Sequence, residues 1–125
     1  DGSVSGQFLA HLQEFCTGRA QAHTRDEMLR RMPWTEALPE KNEKTQKEEV
    51  VTRTYFRLVD LLAYLIRNRF THYSNTGQIV AELRSIGGIH KFWKLKNKGV
   101  NTWGVPVFDD QDSAQEVRKQ DATPF

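Results

Sequence analysis

Residues 50–108 predict a mainly α fold closed by a small β-hairpin, an α+β arrangement with a helical segment ahead of it. Three observations predict it. Apolar residues between Leu58 and Ile86 recur at helical spacing. The period becomes strand-like after Gly87-Gly88. Two β-rich runs, "IHKFWKLK" and "VNTWGVPVF", then flank Asn97-Lys98-Gly99. Such runs around an Asn-containing, Gly-ended connection read as a hairpin.

Val4 to Cys16 reads as a short amphipathic helix, with Phe8, Leu9, Leu12 and Phe15 on one side and Gly18 as its stop. Thr24 opens a second helix. Its spacing to Glu27 is that of a capping box, in which each side chain satisfies an orphan amide of the first turn. Met28, Leu29 and Met32 form the expected buried side, and Pro33 ends it. "PWTEALPEKNEKTQKEE", residues 33–49, is polar and charge-rich after Leu38, and reads as a linker that becomes helical near Glu43. A domain boundary falls near residue 45.

"VVTRTYF", residues 50–56, is β-branched and aromatic and reads as a short strand, or as an extension of the helix that follows. Leu58 to Asn68 is a helix whose apolar stripe is Leu58, Leu61, Leu62, Leu65 and Ile66, with Arg57, Asp60, Ala63 and Arg67 mostly elsewhere. Asn75 caps a further helix with Gln78 at the capping-box position. Ile79, Val80, Leu83 and Ile86 face inward, and Gly87-Gly88 ends it. In the hairpin, Trp93 and Leu95 share one face of the first run, and Trp103 and Val105 one face of the second. All four are expected to pack on the helices. Lys94, Lys96 and Lys98 then point away together near the tip.

Strand, helix, helix, hairpin is the layout of a winged helix–turn–helix. The division predicted is a helical N-terminal segment and charged linker over 1–45, a winged-helix DNA-binding domain over 46–110 and an acidic flexible tail over 111–125.

Composition narrows the function. A chain of 125 residues suits one domain. The single cysteine, Cys16, excludes an internal disulfide framework and a Cys-rich zinc site, and fits a reducing compartment. The longest apolar run, Leu58 to Ile66, is broken by Asp60 and is far short of a membrane span. The start at Asp1 suggests a fragment of something larger. The formal charge of +2 hides an uneven distribution. Residues 1–60 sum to −1, residues 61–108 to +6 with Glu82 as the one acid, and residues 109–125 to −3. A local field of that kind attracts a polyanion.

The candidate DNA-binding residues are Asn75, Thr76, Gln78, Arg84, Lys91, Lys94, Lys96 and Lys98. A recognition helix brings short polar side chains to base edges, and lysines on a wing neutralise phosphates and fix register. Gln78, Glu82 and Ser85 are expected on the exposed side of that helix. Glu82 is awkward there, although an acid can accept a hydrogen bond from cytosine. The four histidines have no ligand spacing, and no Walker-type loop or nucleophile–base order is present. No metal, cofactor or catalytic site is expected.

The stretches "YFRLVDLLAYLIRNRF" and "IVAELRSIGGIHKFWKLKNKGVNTWGVPVF" resemble the C-terminal winged-helix domains of phage and plasmid primase–helicase replication proteins of the satellite-phage alpha type. The shared pattern is "LRSIGG", a basic aromatic strand, a "KNKG" turn and "VNTWGVP". The resemblance covers about 55 residues and implies binding of duplex origin DNA in a bacterial cytoplasm. It allows for a homodimer and implies neither a membrane nor a small-molecule substrate. Without a Walker motif, no helicase activity attaches to this chain. Two alternatives stay open. One is a winged helix that docks a protein. The other is a binder of single strands or RNA that stacks bases on exposed Trp93 or Trp103.

Overall fold

The computed structural model describes residues 2–108. It holds a curled four-stranded antiparallel sheet, and strand and helix are present in nearly equal measure. The elements are α1 (Val4–Thr17), a 3-10 helix (Arg25–Arg30), β1 (Trp34–Lys41), β2 (Glu48–Arg57), α2 (Leu58–Arg67), α3 (Thr76–Ser85), β3 (Ile89–Leu95) and β4 (Lys98–Pro106). The strand order is β1-β2-β4-β3. This corrects the expectation of a mainly α winged helix–turn–helix with a small hairpin. The predicted acidic tail lies outside the described residues.

The correction originates in residues 34–57. The segment read as a linker turning helical near Glu43 is strand β1 and a turn. β1 pairs with β2 over its whole length, from Trp34 opposite Tyr55 to Lys41 opposite Glu48. Residue 45 lies in the turn of this hairpin, so the two halves of the chain share one sheet. β2 is ten residues long, not a short strand, and runs directly into α2. Two acids of this segment are held by arginines from outside it. Arg25 lies against Glu36, and Arg53 against Glu40. Arg53 Nη1 also donates to the carbonyls of Gly87 and Gly104, which ties β2 to the end of α3 and to β4.

Residues opposite one another in an antiparallel pair share a face. One face of the sheet is covered by α1, α2 and α3. Its core contains Phe8, Leu12, Phe15, Leu61, Leu65, Ile79 and Leu83 against Phe56, Trp103 and Val105. The other face carries Tyr55, Trp93, Leu95 and Val100 and is covered by Met28 of the 3-10 helix. Thr24 therefore opens a short 3-10 helix rather than an α-helix. Its side chain makes no cap, and Arg31 in the left-handed region ends the turn. Met28 is fully buried, while Leu29 and Met32 are half-buried.

The three α-helices follow their sequence signals closely. Ser3 caps α1 by accepting from the Gly6 amide. The stripe on α2 departs in two places. Ile66 is 72% exposed, and Asp60 is buried. Asp60 is stabilised there by a two-pronged pair with Arg57, at 2.8 and 3.0 Å. No described helix is long and apolar enough to cross a membrane.

Candidate nucleic-acid interface

Asn75 and Gln78 close a complete capping box at the start of α3. Asn75 Oδ1 accepts from the Gln78 amide at 3.0 Å, and Gln78 Oε1 accepts from the Ser74 amide at 2.7 Å. Both side-chain oxygens are engaged in holding the helix end. Thr76 is exposed beside them. Arg84 sits nine residues beyond Asn75, so the two ends of the predicted site are about 13 Å apart along the helix. The Arg84 guanidinium lies 5.0 Å from the centroid of the Trp103 ring. That contact fastens the last turn of α3 to the sheet and leaves the cation exposed.

Glu82 is not on the exposed side with Gln78 and Ser85. It is half-buried, and its Oε2 accepts from Ser5 Oγ at 2.6 Å and from Tyr73 Oη. Burial first, and then the Glu82 hydrogen bond, push the Tyr73 phenol above its ordinary pKa, so it stays protonated and donates. The carboxylate thus joins α3 to α1 and to the loop before α3. Its replacement Glu82→Gln is expected to cost about 1 kcal/mol of stability, the scale of a partly exposed hydrogen bond to a charged group. Chemical denaturation measures this directly. An unchanged midpoint would show that the carboxylate is not engaged.

The hairpin divides the predicted lysines between its two faces. The turn is the two-residue pair Lys96-Asn97, with φ of 49° and 65°, one residue earlier than the sequence suggested. Positive φ at both positions is the geometry of a type I′ turn, whose twist matches that of the strands. The register sets Lys94 opposite Gly99 and Leu95 opposite Lys98, so Lys94 and Lys98 belong to opposite faces. Lys94 lies on the face that the helices cover further along. Lys91 and Lys98 lie on the face of Trp93, and Lys91 Nζ is 5.3 Å from the Trp93 ring. The three lysines expected to point away together do not.

The two tryptophans also part company, for the same reason. Trp93 pairs with Val100, while Trp103 pairs with His90. Each is buried, at 5% and 6% exposure, in a different cluster. Trp93 Nε1 donates to buried Thr102 Oγ1 at 2.8 Å, which in turn donates to the Lys91 carbonyl. Neither indole is available for stacking on a base.

Sequence reasoning did not single out Phe92, and it set His90 aside as a strand start and Asn101 as an edge residue. His90 Nε2 lies 3.0 Å from Asn101 Oδ1, and Phe92 is exposed between His90 and Lys94 on the same face. The signal was available in "HKFWK", where the alternation that buries Trp93 puts Phe92 on the polar side. Among the described residues, no group of three His, Cys, Asp or Glu side chains could hold a metal ion. Burial pushes the Cys16 thiol far above its ordinary range, which removes it as a nucleophile.

No family model matches this chain, and no curated protein or solved structure does so.

Proposed function

We propose that this chain is a binding module for duplex DNA, not a catalyst. Contact is made by the exposed side of α3 and by the hairpin face that carries Lys94, with Arg84 at their junction. The observation that carries the reading is the inward turn of Glu82. With that carboxylate held by Ser5 and Tyr73, the surface from α3 to β4 is left with Arg84, Lys94 and Lys96 and no opposing acid from Leu83 to Phe108. Such a surface suits phosphate, and exposed Thr76 and Gln78 are short enough to approach base edges. Origin DNA in a phage or plasmid replication protein, acting in a bacterial cytoplasm, is the setting that the sequence resemblance suggests.

The test is fluorescence anisotropy of a labelled duplex over a salt series. The affinity is expected to fall with a log–log slope of about −0.9 for each phosphate contacted. Binding that ignores salt, or no binding at low salt, overturns the reading and favours a protein partner.

A further inference from the structure

We propose that Phe92 is a base-stacking platform, so that the surface takes up unpaired nucleotides next to a duplex. The inference rests on the nucleic-acid reading above and names the form of substrate it prefers. Phe92 is 62% exposed in the middle of β3, and the residues around it on the same face, His90, Lys94, Gly99 and Asn101, are exposed too, so the ring stands on an open surface. Its ring is seated against the sheet. A Cβ at position 99 would come within 2.5 Å of Phe92 Cζ, so the missing side chain of Gly99 makes room for the ring on the adjacent strand.

The surroundings select the occupant. On the same face, Lys94 lies two residues further along β3 and His90 two residues back. Asn101 stands directly across on β4. Arg84 lies beyond them, over Trp103. Residues two apart on a strand are separated by about 6.6 Å, so a cation sits beside the ring at close range. Neither strand of the hairpin contains an acid. An apolar ring framed by cations and one amide fits a nucleobase with its phosphate. Bases stack on aromatic side chains without regard to sequence, since each has a π-face. Paired bases inside a duplex do not offer that face, so the platform acts on the unpaired part of the substrate.

Three labelled probes test it: a blunt duplex, the same duplex with a single-stranded overhang, and the overhang strand alone. Wild type is expected to bind the overhang duplex more tightly than the blunt one. Phe92→Ala is expected to weaken overhang binding about 5- to 150-fold, the range of losing one stacked base. The loss on the blunt duplex should be several-fold smaller, since paired bases do not offer a face to the ring. Phe92→Trp should restore the preference. Melting is recorded for each variant and should stay at the wild-type value, since the ring is exposed. Equal affinity of wild type and Phe92→Ala for the overhang overturns the platform while the duplex reading stands. An equal loss on all probes makes Phe92 structural and also overturns it. Failure of wild type to bind any probe overturns both readings.

Discussion

Trp103→Ala is expected to lower unfolding stability by about 3–5 kcal/mol, the usual cost of truncating a buried aromatic side chain. A domain of this size has about 5–15 kcal/mol in all, so the variant would sit near the edge of folding. The ring is buried between the sheet and the helices, in one cluster with Phe56, Leu83 and Val105. It also underlies Arg84, and the His90 ring meets it edge-on at 5.8 Å. Its loss would empty the joint between α3 and the hairpin, the same joint on which the proposed surface depends. Trp93 belongs to the opposite face, in a cluster with Tyr55 and Met28. The milder variants Trp93→Phe and Trp103→Phe should therefore add to within about 0.5 kcal/mol, as independent sites do. Wild-type melting of Trp103→Ala with lost single-strand binding would show an exposed, stacking indole instead.

The helices were legible because each carries its own signals. Apolar residues on α1, α2 and α3 recur at the helical period, and Asn75 and Gly87 mark the ends of α3 through a local hydrogen bond and a positive φ. β3 and β4 were legible as a hairpin, since a period of two and a tight turn are also local. β1 was not. On the face it shares with Tyr55 it presents Trp34, Glu36, Leu38 and Glu40, which reads as half polar. The two glutamates belong there because Arg25 and Arg53 come to meet them, and both arginines are remote in sequence. β1 also contains Pro39, which is accommodated because β1 is at the sheet edge, where a missing amide is tolerated. The candidate site suffered from the same limit. Type and position of the lysines were readable, but their faces depend on a turn one residue earlier than predicted, and a one-residue shift reverses every side chain. The inward turn of Glu82 rests on Ser5, 77 residues away, and no local pattern encodes it.

Because the register separates the lysines, two charge variants should behave differently. Arg84→Gln, Lys94→Gln and Lys96→Gln combined remove three cations from the proposed surface and its tip. Glutamine keeps part of each stem, and all three residues are exposed, so the cost in stability should be only about 0.5–1 kcal/mol, that of losing the Arg84 contact with Trp103. If each contacts one phosphate, the salt slope should become shallower by about 2.7, and affinity at 0.1 M salt should fall about 500-fold. The loss should be similar for unrelated duplex sequences, since phosphate contacts position without specifying. Lys91→Gln with Lys98→Gln removes two cations from the other face, where Lys91 lies against Trp93. That pair should change the slope by well under one contact. Salt-dependent anisotropy on the two variants and wild type measures this directly. A steep loss from the Lys91 and Lys98 pair with little from the triple variant would place DNA on the Trp93 face. Equal, shallow losses from both would mean that the basic charge of the hairpin only keeps its edge soluble.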